Sequence, residues 1–398
     1  MGEVNKAREV SSMPVAPTGT VAVIAQARWS GFRLSKQFIA LAFAELGWHA
    51  LYVDPPLSPM SVVRHRERVA DLLAPRSERH SERLSIWRPV AIPGQNARLG
   101  QRSNAGHLAR GILRRLGQPD LTVAFSLESR ATLPRLDGRS IYHCTDSDED
   151  LPGADAERIR RYVREIASIA GTVTACSVPL VQQLRERGIR ATYVPHGCDG
   201  ESLAPAVPAA ELEHLPRPLL GYVGSVNFRV DPALLGAALD SAHEVSGSGT
   251  LVLIGGSFGP RAPASLASLL GRRHVVRLPQ QSPKALRSYM AALDIALVPY
   301  SAHPFNRKSF PIKIPQYLGA GLPVVSTPNG ATDELGRHLY VAEGTDGFAA
   351  AVARALEDDT PQLHQERRQA ALARPWSQVA EDLVAAACGG EPSLGEQP

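Results

Sequence analysis

The order strand, loop, helix, strand recurs in both halves of this 398-residue chain and restricts its fold more than any other feature. Residues 21–26 (VAVIAQ) form a short apolar run, and apolar positions then recur at helical spacing until Gly47. Residues 49–56 (HALYVDPP) read as the next strand. Because a crossover helix between two strands makes those strands parallel, the sequence predicts an α/β protein with Rossmann-like βαβ units.

The loop after the first strand is the first candidate site. Ligands of open parallel sheets bind at the carboxyl ends of the strands. We therefore predict that Trp29, Ser30, Gly31 and Arg33 contact a ligand. Although Asp54 closes the second strand, the loop lacks GxGxxG, so a dinucleotide site is not expected.

Two later strands of the first half, LTVAFS and SIYHCTD, also end in polar side chains. Such strand ends favour binding or catalysis, although residues 148–150 equally fit a solvated turn that caps a helix. For His196, a role in the cleft and a place in a plain interdomain loop both remain open. The candidates for catalysis are Glu128, His143 and Asp146, and Asp148 is a candidate for acceptor binding.

The strand and helix pattern restarts after a stretch rich in proline and alanine, which indicates a linker between two domains. Gly224 and Ser225 end the first strand of the second half, and Arg229 follows in the loop before a helix. A turn of this kind offers backbone N–H groups and a cation to an anionic ligand. The predicted divisions are a flexible tail (1–18), a first Rossmann-like domain (19–203), a linker (204–218), a second Rossmann-like domain (219–375), and a terminal helix with a tail (376–398).

Residues 301–334 concentrate basic side chains, a helix start with prolines, a turn with glycine and a short apolar strand. Proline is tolerated only in the first turn of a helix, so Pro315 predicts that this helix begins later than Pro311, near Ile314. The terminal helix that follows has one apolar stripe and fits against either domain. The candidate ligand-binding residues of this region are Tyr300, Arg307, Lys308, Lys313, Asn329, Gly330 and Ala331.

Composition limits the class of protein. The first 19 residues lack an apolar signal segment, and no apolar run approaches the length of a membrane-spanning helix. The four cysteines are widely spaced, which favours reduced thiols over disulfides or a zinc site and predicts a cytoplasmic protein. A net charge of +4 is modest, and no nucleic-acid partner is expected.

Residues 61–117 hold 12 Arg and no Lys against four acidic residues. One interpretation is a solvated helical surface. The other is a face that meets anionic lipid or a phosphorylated acceptor, which makes weak peripheral contact with a membrane an open hypothesis.

The order of IYHCTDSDEDLPG, TACSVPLVQQL, YVPHGCD, GYVGS, IALVPY and PIKIPQYLGAGLPVVST resembles the GT-B glycosyltransferases of the retaining, glycogen-synthase-like class (family 4-like). Among them it is most similar to teichuronic-acid-type bacterial glycosyltransferases, which carry P-x-K-x-x-E-Y-L-A-x-G-x-P-V-V. The resemblance covers about residues 21–383. It implies two Rossmann-like domains that face each other across a cleft.

The resemblance implies that the first domain (19–203) binds the acceptor, through the loop with Trp29 and Arg33, and that the second domain (219–375) binds the nucleotide sugar. It also implies roles for particular residues. A glutamate of the class binds the ribose hydroxyls, and Gln316 stands at its position. An acidic residue eight positions earlier contacts the donor sugar, and Lys308 stands there. Lys313 matches the lysine of the motif, and with Arg229, Arg307 and Lys308 it is expected to neutralise a diphosphate.

The resulting hypothesis is a hexosyltransferase-type enzyme. It would transfer a sugar from a nucleotide-diphosphate sugar, with UDP favoured, to a hydroxyl or amine of a small metabolite or glycan. Retention of configuration is implied by the resemblance alone, and the nucleotide sugar would be a co-substrate, with no metal or other cofactor required. A sugar-nucleotide epimerase with a GT-B-like fold and a scaffold protein that has lost catalysis are the alternatives.

Overall fold

The protein is described by a computed structural model that covers residues 18–29, 33–58, 74–92, 98–199, 206–255 and 265–390. Strands and helices alternate in two successive regions, and each region contributes its own sheet. The fold is therefore the α/β class that the sequence predicts. Ser30, Gly31, residues 1–17 of the predicted tail and parts of the Arg-rich segment lie outside the described residues.

The first sheet is built from residues 20–193, and all its neighbouring strands are parallel except one antiparallel pair at the edge. Its central strands are almost wholly buried, as is usual when helices cover both faces of a parallel sheet. Among the described residues its strands are β1 (Thr20–Ile24), β2 (His49–Val53), β3 (Ser77–Arg79), β4 (Leu84–Trp87), β5 (Leu121–Ala124), β6 (Arg139–Cys144), β7 (Thr172–Ala175) and β8 (Thr192–Tyr193). Their order across the sheet is β3-β4-β2-β1-β5-β6-β7-β8.

The second sheet is parallel throughout. Its described strands are β9 (Leu219–Val223), β10 (Thr250–Ile254), β11 (Val275–Leu278), β12 (Ile295–Val298), β13 (Val324–Ser326) and β14 (Tyr340–Val341). They are arranged in the order β11-β10-β9-β12-β13-β14. Because β9 and β12 are neighbours, the loops that follow their carboxyl ends emerge side by side.

Helices connect the strands of both sheets. In the first half they are α1 (Ser35–Glu45), α2 (Arg98–Leu116), α3 (Ala156–Ile169) and α4 (Val178–Glu186). In the second half they are α5 (Pro232–Ser246), α6 (Leu266–Leu270), α7 (Pro283–Ala292), α8 (Pro304–Lys308), α9 (Lys313–Gly319), α10 (Thr332–Leu335), α11 (Gly344–Glu357), α12 (Pro361–Leu372) and α13 (Trp376–Ala387). Within the described ranges, no helix is both long enough and apolar enough to cross a membrane.

Several of these helices begin just after a residue whose side chain caps the helix N-terminus. The side chain of Ser177 accepts a hydrogen bond from the backbone N–H of Leu180, and Asp231 and Ser282 cap α5 and α7 in the same way. A proline follows Asp231 and Ser282 directly, where its missing N–H costs no helix hydrogen bond.

The 301–334 region is more helical than predicted. The interpretation of residues 304–308 as a loop is wrong, because the His303 side chain caps a short helix there and Pro304 occupies its first position. The later start of the next helix is confirmed: α9 begins at Lys313, so Pro315 falls in its first turn.

The Arg-rich segment is not one helical surface. Its described residues form β3, β4 and α2, and β4 pairs in parallel with β2. The sequence reasoning missed both strands; β3 is only three residues long and wholly exposed, so it carries no apolar pattern.

The terminal helix α13 packs on the first half of the chain. Trp376 is buried and stacks on Phe38 of α1, with ring centroids 5.2 Å apart and an interplanar angle of 6°. The Thr172 hydroxyl of β7 donates to the Ala386 carbonyl at the other end of the helix. The chain therefore crosses back from the second sheet to cover the first.

We expect Trp376→Ala to lower the free energy of unfolding by about 3 to 5 kcal/mol, because the substitution removes a buried aromatic ring and leaves a cavity. Equilibrium unfolding in urea measures the change. Leu372→Ala is the control, since Leu372 is 55% exposed and its truncation should change stability by less than about 0.5 kcal/mol. Equal losses for the two variants would show that the Trp376–Phe38 contact does not hold the helix in place.

Candidate functional site

A cavity of about 460 Å³ is lined by residues from both halves of the chain. The first half contributes Lys36 at the start of α1 and Asp146 after β6. The second half contributes Gly224 after β9 and Tyr300 after β12. The cavity therefore lies where the carboxyl ends of strands from both sheets meet, which is the position of ligand sites in open α/β sheets.

Glycine at position 224 makes room for a cation. Its φ of +136° lies in a region that L side chains rarely adopt. A Cβ added there would stand 2.8 Å from Nζ of Lys313. Glycine therefore allows the ammonium group to approach the backbone at the end of β9.

Lys313 is held against aromatic rings. Its Nζ lies 3.9 Å from the ring centroid of Tyr222 and 5.6 Å from that of Tyr300. Burial lowers the pKa of Lys313 well below its usual value, and Arg229 lowers it further. In the part of the chain that the structure describes, no carboxylate forms an ion pair with this lysine. The site therefore holds a cation whose charge the protein leaves uncompensated.

Arg229 is fixed in one orientation at the same wall. Its Nε donates to Oδ1 of Asn306 at 3.0 Å, and its Nη2 donates to Oγ of Ser309 at 2.6 Å. The guanidinium also stacks over Tyr300, 4.4 Å from the ring centroid. Since its partners are neutral, Arg229 keeps its full charge toward the cavity.

On the opposite wall, Lys36 donates to Oγ1 of Thr145 at 3.0 Å. His196 lies nearby, with Nδ1 3.2 Å from the carbonyl oxygen of Phe310. Burial lowers the pKa of His196 well below its usual value, so the ring is neutral near pH 7. A carbonyl only accepts, so Nδ1 carries the proton and Nε2 is left as an acceptor.

The cavity as a whole is cationic. Five cationic side chains line it, against the two carboxylates of Asp146 and Asp199. A polyanionic ligand would relieve the repulsion among these cations. The cations are Arg33, Lys36, Arg229, Arg287 and Lys313.

One known protein family matches the second half of the chain. Residues 217–358 match the family of glycosyl transferases group 1. A Bacillus subtilis protein named as a teichuronic acid biosynthesis glycosyltransferase, TuaH, is 28% identical over 172 residues. That match covers 42% of this chain and 42% of TuaH, so the chain aligns with less than half of this relative.

Solved structures match over nearly the whole chain. An Escherichia coli trehalose-6-phosphate structure bound with UDP-2-fluoro glucose superposes with a TM-score of 0.68, covering 94% of this chain and 100% of the other at 13% identity. The Anabaena protein HepE in complex with UDP-glucose gives a TM-score of 0.65, covering 92% and 98% at 15% identity. The chain has the GT-B fold.

Within this GT-B fold, the cavity includes several of the predicted site residues. They are the predicted donor-binding residues Gly224, Ser225, Arg229, Tyr300, Lys313 and Gln316, together with Arg33 and Asp146. They come together because each follows a strand end or begins a helix at the facing edges of the two GT-B sheets.

His143 does not line the cavity. It is fully buried in β6, where Nδ1 lies 2.8 Å from Oγ1 of Thr174. Burial lowers the pKa of His143 to about 3, with smaller contributions from Lys36 and Arg374. This environment keeps the ring neutral and enclosed in the sheet.

Glu128 and Asp148 lie beside the cavity. Glu128 accepts a hydrogen bond from Ser126 and lines a separate cavity of about 440 Å³ at the ends of β1, β2 and β5. Asp148 stands close enough to Asp146 and Glu128 for both carboxylates to act on its pKa. Glu128, Asp146 and Asp148 therefore form one cluster of carboxylates between the two cavities.

Lys308 and Arg307 are engaged elsewhere. Lys308 forms an ion pair with Asp150 of the first half, at 2.8 Å, and Arg307 forms one with Glu343 at 2.8 Å. Neither side chain lines the large cavity. The lysine at the position of the family's carboxylate therefore ties the two halves together.

The turn 329–331 is buried under the junction of the two halves. The Asn329 amide donates to the Thr327 carbonyl, and its oxygen accepts from the Ala331 N–H. A Cβ at Gly330 would stand 2.6 Å from Cβ of Ser177. These three residues do not line the cavity.

Trp29 faces a smaller cavity of about 120 Å³ with Asp54, whose carboxylate accepts from the Trp29 N–H at 2.8 Å. Its ring packs edge-on against Tyr52, 4.9 Å between centroids. Of the predicted acceptor loop, Arg33 is the described member that lines the large cavity, and Ser30 and Gly31 are outside the described residues.

Lys36 and Tyr222 are among the lining residues to which sequence reasoning assigned no site role, and His196, for which a role in the cleft was left open, also lines the cavity. A signal for Lys36 existed, because SKQ is a polar run at the start of an otherwise apolar helix behind a strand. Tyr222 gave none, since an aromatic residue inside an apolar strand is usually core.

We expect Asp148→Asn to stabilise the protein above pH 6. Burial first, and then Asp146 and Glu128, raise the pKa of Asp148 from 3.8 to about 6, while Lys36 lowers it. The native state then binds the proton more tightly than the unfolded chain, so the ionised carboxylate destabilises the wild type as pH rises from about 4 to about 6. The variant should gain about 1 to 3 kcal/mol at pH 7 and nothing at pH 3.5.

Urea unfolding across this pH range measures the difference. Asp137→Asn is the matched control, since Asp137 is exposed and its stability difference should not change with pH. A constant difference for Asp148→Asn at every pH would contradict the assignment.

Proposed function

We propose that the protein is a glycosyltransferase that transfers a sugar from a UDP-sugar to an acceptor hydroxyl or amine of a small metabolite or glycan. The observation that carries the proposal is the uncompensated cation Lys313 in the cleft of a GT-B fold, beside Arg229. A leaving nucleoside diphosphate gains negative charge as the glycosidic bond breaks, and fixed cations stabilise that charge.

The donor would lie along the wall formed by the second half. The diphosphate would contact Lys313 and Arg229, and the backbone at Gly224 leaves space for the phosphate group next to them. Binding would favour the charged form of Lys313, because an anion near the ammonium group opposes the effect of burial on its pKa. Since protein cations supply the neutralisation, the proposed reaction needs no metal ion.

Gln316 follows Lys313 by one helical turn on α9 and lines the same cavity. Its amide oxygen can accept from a ribose hydroxyl and its NH₂ group can donate to one. Uridine is the base we favour, because structures of similar fold were solved with UDP-glucose and UDP-2-fluoro glucose.

The acceptor would approach from the first half. Under the retaining mechanism that we favour, the acceptor attacks on the face that the diphosphate leaves, and the leaving phosphate accepts the proton of the attacking hydroxyl. An inverting mechanism requires a side-chain base instead. Asp146 is then the candidate, because it lines the cavity while His143 is enclosed in the sheet and Glu128 lies in the neighbouring cavity.

Lys313→Ala should weaken UDP binding by about 1 to 3 kcal/mol, the range for a charge-assisted contact. Isothermal titration calorimetry with UDP measures the loss. Lys284→Ala is the matched control, because Lys284 is exposed on α7 and does not line the cavity. Equal UDP affinity in the two variants would remove Lys313 from the donor site.

Gln316→Glu should keep or increase UDP affinity, since a carboxylate accepts two ribose hydroxyl hydrogen bonds more strongly than an amide. The same titration tests it, with uridine as a second ligand to isolate the nucleoside contacts. A loss of more than about tenfold would show that this side chain does not face the ribose.

Release of UDP from UDP-sugars, with and without sugar acceptors, tests the function itself. Acceptor-dependent release that persists in EDTA is the expected result. Turnover of the donor without an acceptor would favour a sugar-nucleotide epimerase. UDP binding without any turnover, across UDP- and GDP-sugars, would favour a scaffold protein.

A further inference from the structure

A second concave site lies on the first half, between α2 and the end of β4. Its volume is about 380 Å³, and it shares no lining residue with the large cavity. Half of its ten lining residues are arginines, and no carboxylate is among them. The five are Arg76, Arg88, Arg110, Arg114 and Arg115.

Trp87 organises one side of this arginine pocket. A Cβ at Gly111 of α2 would lie 1.9 Å from the Trp87 ring, so glycine at this position lets the ring pack directly on the helix. Arg115, one turn later, stacks its guanidinium 4.4 Å from the centroid of the same ring. Its Nε donates to Oγ of Ser77 at 3.0 Å. These contacts hold the guanidinium in place before any ligand binds.

The charge of the pocket is only partly balanced. Arg88 forms an ion pair with Glu78 at 2.7 Å. Within the described ranges, no carboxylate forms an ion pair with Arg110, Arg114 or Arg115. Arg110 donates instead to the Gly106 carbonyl of its own helix.

Helical spacing brings these cations together. Arg110 and Arg114 are four residues apart on α2, a spacing at which like charges destabilise a helix. Arg115 is adjacent to Arg114, and both burial and that neighbour lower its pKa. An anion bound in the pocket would relieve this repulsion, so the folded protein itself favours its binding.

We propose that the arginine pocket binds an oxyanion of the phosphate class, such as the phosphoryl group of a small molecule or of a lipid headgroup. Planar guanidinium groups donate two parallel hydrogen bonds to phosphate oxygens, which selects this anion over halides and simple carboxylates of lower charge. The site is independent of the proposed glycosyl transfer, because none of its residues takes part in the large cavity.

Binding of inorganic pyrophosphate by the full chain tests the proposal. All proteins carry Lys313→Ala, so that a diphosphate site in the large cavity contributes less and is the same in every variant compared. In this background, Arg110→Gln/Arg114→Gln should bind pyrophosphate at least about tenfold more weakly than the parent, as expected for the loss of charge-assisted hydrogen bonds.

The matched control is Arg102→Gln/Arg164→Gln, which removes the same charge from exposed positions outside the pocket. It should bind pyrophosphate like the parent. Equal weakening in the two double variants, or no binding by the parent, overturns the proposal. Thermal unfolding without ligand verifies folding, since the pocket variant should be no less stable than the control once its like charges are removed.

Vesicle sedimentation then separates the two sources of phosphate. If the ligand is a headgroup, the parent should sediment with phosphatidylglycerol vesicles at low salt, and the pocket variant should not. If the ligand is a small phosphate ester, the parent should bind pyrophosphate and remain in the supernatant with both phosphatidylglycerol and phosphatidylcholine vesicles. Sedimentation that is equal for pocket and control variants counts against a specific site.

Discussion

The cleft depends on how closely the two halves approach each other at Gly330. There, the backbone of the second half lies so near Ser177 that a Cβ would stand 2.6 Å from the serine Cβ. The Ser177 hydroxyl caps the N-terminus of α4 and also donates to the Lys308 carbonyl. The same side chain therefore stabilises a helix of the first half and links it to the second half. The Lys308–Asp150 ion pair and the His196–Phe310 hydrogen bond continue this junction toward the cavity. These contacts bring the carboxyl ends of the two sheets together, so that they form the two walls of a single cavity.

Within the cleft, the protein stabilises cations by means other than carboxylates. Lys313 lies on tyrosine rings, and Arg229 is held by an amide, a hydroxyl and an aromatic face. Neutral partners orient a cation without cancelling its charge, whereas a carboxylate would compete with an anionic ligand. Lys308 shows the contrast, because its ion pair with Asp150 makes it a structural link between the halves. The same distinction separates Arg88, which is paired, from Arg110 and Arg114 in the arginine pocket.

Much of the fold was predictable. Strand and helix alternation implied two parallel sheets, and Pro315 placed the start of α9. The helix caps Ser177, Asp231 and Ser282 are of residue types that favour helix starts. These features are local: they depend on periodicity and on side chains that bond to backbone a few residues away. The strand β3 was missed because its three exposed residues carry no apolar pattern, and they form a strand only by pairing with β4 at the edge of the sheet.

The candidate site divides in the same way. The sequence by itself determined that polar and basic residues follow strand ends, which identified Gly224 and Arg229, and the motif of the family it resembles added Lys313 and Gln316. Only the tertiary structure decided that Lys308 pairs with Asp150, that His143 is enclosed in β6, and that Lys36 and Tyr222 complete the walls. The physical reason is that a side chain's charge and polarity are properties of the residue. Its partner, burial and direction are set by segments more than 100 positions away in the chain.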